Sequence, residues 1–153
     1  MKKRFLVPID FSEHSLDAVR AAKELVIGLD AELTLIHVLA PSGARRSIAP
    51  GHSKPPPTRL MAADPTQGEA LKQVRQSLLA ELADVTLQLV SGECAAEAIA
   101  DQAERMHADF IVMSTHGHSG LAHMIVGSVT EVVIRHASCP VLVVPPRKQR
   151  AAS

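Results

Sequence analysis

The sequence predicts an α/β fold, a single-domain open five-stranded parallel sheet with helices on both faces. Short apolar runs alternate along the chain with segments of helical period, the pattern of successive βαβ units. The run Val141-Leu142-Val143-Val144 is apolar at every position, as in parallel strands covered on both faces. At 153 residues the chain is long enough for one domain with its own core.

Each element has its own justification. Phe5 to Ile9 is a strand-length apolar run that ends at Asp10. Ser12 is placed to cap a helix whose apolar positions Leu16, Val19, Ala22, Leu25, Val26 and Leu29 keep the helical period. Leu33 to Leu39 is a second strand. Residues 66–84 read as a helix with Leu71, Val74, Leu78 and Leu82 on one face. Val85 to Val90 is a third strand, and Cys94 to His107 a helix through Ala95, Ala98, Ile99, Ala103 and Met106. Phe110 to Met113 is a fourth strand, Ser128 to His136 a fourth helix, and Val141 to Val144 a fifth strand between Pro140 and Pro145.

Ala40 to Pro65 breaks the rhythm, with six prolines, no periodicity, and four basic residues (Arg45, Arg46, Lys54, Arg59) against Asp64. Long loops inside small domains are either solvated insertions or functional covers. Both readings stand, the second as a basic lid over a bound polyphosphate. The domain is expected over 1–146, with 40–65 as its variable loop and 147–153 as a frayed basic tail.

Composition removes several function classes. Lysine plus arginine equals aspartate plus glutamate, so no global field recruits nucleic acid or an anionic membrane. With three Phe and no Trp or Tyr, the chain lacks the best platforms for stacking bases. The basic start Met1-Lys2-Lys3-Arg4 precedes too short an apolar run for a signal-peptide core, and no run has the ~20 apolar residues of a membrane span. The expectation is a cytoplasmic protein with no nucleic-acid or membrane partner. Cys94 and Cys139 form no CxxC pair or metal-type spacing, and both are expected to be buried thiols.

In an open parallel sheet, ligands bind beyond the carboxyl ends of the strands, where strand order reverses. Pro8-Ile9-Asp10, Val38 and Ser114 to Gly117 sit at such ends. Gly117 and Gly127 carry no Cβ and allow backbone N–H groups to approach phosphate oxygens, and the helix dipole opening at Ser128 favours an anion there. Ser128 and Thr130 offer hydroxyls, while Ser128-Val129-Thr130-Glu131 also fits a capping box. Asp10 is a hydrogen-bond acceptor for a ligand or a cap for the first helix. His37, in an apolar strand, reads as a satisfied core histidine. His116, His118 and His123 match no standard zinc pattern, so no metal site is assigned. No nucleophile elbow, Ser-His-Asp order or P-loop lysine is present, and no catalytic residue is assigned.

These segments resemble the universal stress protein family over almost the whole chain. The resemblance rests on Val7-Pro8-Ile9-Asp10-Phe11-Ser12, Leu35-Ile36-His37-Val38, Ile111 to Gly117, Gly127-Ser128-Val129-Thr130 and Cys139-Pro140-Val141-Leu142-Val143-Val144-Pro145. The nucleotide-binding branch carries Gly-x2-Gly-x9-Gly-Ser/Thr; here Gly117, Gly127 and Ser128 match, and Ser114 replaces the first glycine. A serine there is strained if the position needs a positive φ and fits if it does not.

The resemblance implies a Rossmann-like scaffold and a cytoplasmic stress-response protein that binds ATP as a homodimer, without efficient catalysis. By resemblance, Asp10 and the backbone of Pro8, Ile9 and Val38 meet adenine or ribose. Ser114, His116, Gly117, Gly127, Ser128 and Val129 meet ribose and phosphates, with Mg²⁺ or Mn²⁺ bridging the phosphates. The final strand, Val141 to Val144, pairs across the two-fold axis. The alternative is a nucleotide-free dimeric interaction protein of the same family, which binds an unidentified regulatory partner.

Overall fold

The computed structural model describes residues 1–39, 65–115 and 126–146. The expected alternation is present in these segments: β1 (Arg4–Pro8), α1 (Glu13–Leu29), β2 (Glu32–Leu39), α2 (Pro65–Leu78), β3 (Val85–Ser91), α3 (Ala95–Arg105), β4 (Phe110–Ser114), α4 (Ser128–His136) and β5 (Val141–Val144). All strand pairings are parallel, and the order across the sheet is β3-β2-β1-β4-β5. The chain therefore builds outward from β1 to β3, crosses back, and builds outward again from β4 to β5. The direction of winding reverses between β1 and β4.

Strand periodicity divides the core into two layers. Phe5, Val7, Leu33, Leu35 and Val112 pack under α1 and α2 with Val19, Ala22, Val26 and Leu71. Leu6, Ile36, Ile111 and Met113 face α3 and α4 with Ala96, Ile99, Ala103 and Val133. The amino end of the sheet is tied by ion pairs. Lys3 meets Asp109 at 2.7 Å and Lys2 meets Asp84 at 2.7 Å, while the Arg4 guanidinium donates to the Met106 carbonyl at 2.6 Å.

Several expectations are corrected. The helix expected over 66–84 stops at Leu78, although Leu79 to Ala83 are good helix formers. The chain has to turn there, because the Leu33 N–H takes the Asp84 carbonyl at 3.0 Å and sets β3 in register with β2. Tertiary pairing overrides propensity. Leu25 and Leu29, counted on the buried face of α1, are 39% and 55% exposed, while Val26 between them is buried. Neither cysteine is a fully buried thiol. Cys94, at the N-cap position of α3, is exposed, and Cys139 is half-buried. Burial, with the nearby Asp109 charge, raises the Cys139 thiol above its ordinary value. No helix among the described residues is long and apolar enough to cross a membrane.

Candidate functional site

The geometry of the site begins at Pro8. In a parallel strand, successive residues turn their backbone polar groups to opposite neighbours. The Lys3 carbonyl and the Ile9 N–H bond to the β2 side, at Glu32 and Ile36, each at 2.8 Å. The Arg4 carbonyl bonds to the β4 side, at the Asp109 N–H, 2.9 Å away. Pro8 falls in the second set, and it has no N–H to give. The β1–β4 ladder accordingly covers only Phe5↔Phe110 and Leu6↔Ile111, although β1 runs on to Pro8 and β4 to Ser114. The two strands part at their carboxyl ends, at the point where strand order reverses, which is where open α/β sheets place ligands.

On the β1 side, the turn into α1 is closed by short-range hydrogen bonds. One Asp10 carboxylate oxygen accepts from the Ser12 N–H at 3.0 Å and from the Ser12 hydroxyl at 2.5 Å. Ser12 is the N-cap of α1, and its oxygen accepts from the Ser15 N–H at 3.2 Å. The Ser15 hydroxyl donates back to the Ser12 carbonyl at 2.9 Å. Asp10 thus forms an Asx-turn and supports the cap rather than being the cap. Between them Phe11 adopts φ 64°, a left-handed conformation that costs an aromatic residue roughly 1–2 kcal/mol. His37, at the carboxyl end of β2, bonds the Ile9 carbonyl through Nδ1 at 2.7 Å, and its ring lies 4.7 Å from that of Phe11. It is satisfied, as expected, yet only half-buried and attached to the site turn. Its place one residue before Val38, at a strand's carboxyl end, was the available signal; nothing in the sequence marks the φ of Phe11. Val38 is half-buried on the α3/α4 layer.

On the β4 side, Ser114 closes the strand, and its φ is not positive. The serine that replaces the family's glycine therefore sits without backbone strain. Its carbonyl accepts from the buried Thr130 hydroxyl at 2.9 Å. This corrects the expectation that Thr130 offers its hydroxyl to phosphate. Thr115 donates to the Val144 carbonyl at 3.1 Å and accepts from the Gly127 N–H at 2.5 Å, which sets the head of α4 against the end of β4.

The capping box does not form either. Gly127 is the N-cap of α4, Ser128 is the first helical residue, and Glu131 pairs forward with Arg135 at 2.7 Å. Gly127 has φ −68° and ψ 153°, which any residue adopts, so the missing Cβ is what glycine supplies here. Among the described residues no backbone carbonyl meets the N–H groups of Ser128, Val129 or Thr130, the donors a first helical turn leaves unbonded. Ser128 is half-buried and Val129 is 40% exposed. His116 and Gly117, with His118, His123 and nearly all of the 40–65 loop, lie outside the described residues.

The site is therefore a pair of strand ends, one carrying the Asp10 turn and the other an N-terminal turn of α4 without a side-chain cap. Such a turn can hold an anion with backbone donors and the helix dipole. Among the described residues no cluster of three or more His, Cys, Asp or Glu could hold a metal ion.

The sequence pattern of the universal stress protein family matches residues 1–145. The chain belongs to the universal stress protein family. Universal stress protein MJ0531 of Methanocaldococcus jannaschii is 36% identical over 148 residues, covering 96% of this chain and 85% of that one. Among solved structures, that of MJ0577 superposes with a TM-score of 0.73 at 25% identity, covering 97% of this chain and 99% of that one. A universal stress protein in complex with cAMP shares the fold at TM-score 0.68 and 22% identity, covering 94% and 97% of the two chains. The five-stranded parallel sheet is the universal stress protein fold in this chain.

Proposed function

We propose that this universal stress protein is a cytoplasmic stress-response regulator that binds an adenine nucleotide, ATP, across the ends of β1 and β4. The observation that carries the reading is the coincidence of three features at one place. Strand order reverses between β1 and β4, Pro8 ends their pairing, and α4 opens there with Gly127 as N-cap and its first N–H groups unmet by any backbone carbonyl among the described residues. Family membership and a relative's fold held in complex with cAMP support the same ligand class.

In this reading Asp10 and the backbone of Pro8, Ile9 and Val38 receive adenine and ribose. Ser114, Gly127, Ser128 and Val129, with His116 and Gly117, receive ribose and phosphates. Mg²⁺ or Mn²⁺ enters with the phosphates and neutralises their charge. The protein works as a homodimer through the β5 edge, Val141–Val144, and nucleotide occupancy sets what it offers to a regulatory partner. In this reading it works without efficient catalysis: the sequence carries no P-loop lysine or nucleophile elbow, and hydrolysis of ATP is slow at most.

The alternative, a nucleotide-free interaction protein of the same family, draws on the serine at position 114. Ser114 carries no backbone strain, which supports the nucleotide-binding reading over this one. Calorimetric titration with ATP and Mg²⁺ tests the reading: saturable binding at one site per chain is expected, and no heat at millimolar ATP contradicts it.

A further inference from the structure

His37 has no part in the ligand contacts above, yet it touches the site turn on both sides of Asp10. Its Nδ1 lies 2.7 Å from the Ile9 carbonyl. A carbonyl oxygen only accepts, so Nδ1 carries the proton, and in the neutral ring Nε2 is left as the acceptor. The same ring packs on Phe11, with centroids 4.7 Å apart and planes inclined by 44°. Phe11 is one of three non-glycine residues with positive φ among those described, the others being Asp30 and His107. Asp30 is the C-cap of α1, and His107 directly follows the C-cap of α3, positions where left-handed backbone is ordinary. Phe11 stands at the head of a helix, where no such rule applies. A bulky residue stays there only when its surroundings over-determine it. The Asp10–Ser12 turn constrains it from one side and the His37 ring from the other.

We propose that His37 is a positioning residue for the nucleotide site. By gripping Ile9 through its carbonyl and Phe11 through its ring, it fixes the backbone of Asp10 at the mouth of β1. The inference rests on the nucleotide-binding reading. His37 acts through the turn, because side chains alternate along β2: His37 follows Leu33 and Leu35 onto the α1/α2 layer, while Val38 faces the other.

Full-length wild type is compared with His37→Phe and His37→Asn. Phenylalanine keeps a ring for Phe11 and loses the donor; asparagine keeps a donor near Nδ1 and loses the ring. In titrations with ATP and Mg²⁺, His37→Phe is expected to bind about tenfold more weakly, the scale of one lost hydrogen bond to a partly buried carbonyl. His37→Asn should recover part of that loss. Nitrogen-15 spectra of the nucleotide-free protein should show the Nδ1–H tautomer in wild type and displaced Asp10–Ser12 amides in His37→Phe. Unchanged ATP affinity in a folded His37→Phe overturns the proposal while leaving nucleotide binding intact, and so does an Nε2–H tautomer in wild type. A wild type that takes up no ATP overturns the nucleotide reading and the positioning role with it. Displaced amides in that protein would still show that His37 shapes the turn.

Discussion

The Thr130 hydroxyl donates to the Ser114 carbonyl across 2.9 Å, inside the protein, and fastens the first turn of α4 to the last residue of β4. The Gly127 N–H repeats the fastening one step along, at the Thr115 carbonyl. These two bonds hold a helix N-terminus at the end of a strand from which it is separated by a dozen residues of chain. The direction of the proposed phosphate cradle is therefore set by polar contacts, one of them buried, as well as by apolar packing.

Thr130→Val should consequently destabilise the protein by about 0.5–1.5 kcal/mol, because it removes a buried hydrogen bond while keeping a side chain of nearly the same shape. For a chain of this size each kcal/mol lowers the melting temperature by about 2–4 °C. Thr130→Ser keeps the donor and should cost much less. Thermal denaturation of the two variants beside wild type checks the difference, and equal losses would place the effect in packing instead.

Gly127→Val separates folding from binding. The backbone at Gly127 is extended, a conformation that suits valine, so the fold should persist by circular dichroism. The added side chain occupies the space assigned to phosphate, and ATP binding should be lost. Wild-type affinity in this variant would mean that the cradle lies elsewhere.

Val143→Lys addresses assembly. β5 is an outer strand of the sheet, and an apolar edge strand is a ready template for pairing with a second chain. In the proposed homodimer a lysine there should shift the protein to monomer in sedimentation. An unchanged dimer would move the interface away from β5.

The amino end of the sheet predicts a specific acid sensitivity. The Lys3 ammonium and then the Arg4 N–H hold the Asp109 carboxyl below its ordinary 3.8. A carboxylate depressed in the folded state stabilises fully above its unfolded value, and that contribution fades as pH falls below about 3.8 toward the folded value. Asp109→Asn should be less stable than wild type at neutral pH, with the gap closing below pH 4. A gap of constant size from pH 7 to pH 2 would argue against this origin.

Much of the fold was legible because parallel strands and amphipathic helices leave strong periodic signals. Val141–Val144 and Ser128–His136 fall where the pattern puts them. The end of α2 was not legible, since Leu79 to Ala83 favour helix locally and only the pairing of Leu33 with Asp84 stops it. At the site, the sequence marks which residues stand at strand ends but not where their polar atoms turn. From sequence, Asp10 is a ligand acceptor or a helix cap, and Thr130 a hydroxyl on offer to phosphate. Asp10 proves to close a turn with one oxygen, and Thr130 proves to brace β4. Whether a serine at position 114 is strained likewise depends on a backbone angle that residue identity does not give.

The most direct test of the account is to denature freshly purified full-length protein and identify what it releases by chromatography and mass spectrometry, then to titrate the emptied, refolded protein with ATP and Mg²⁺. The account predicts adenine nucleotide approaching one per chain in the first step, or saturable ATP binding in the second that Gly127→Val abolishes. A protein that releases nothing and also ignores added ATP would contradict it.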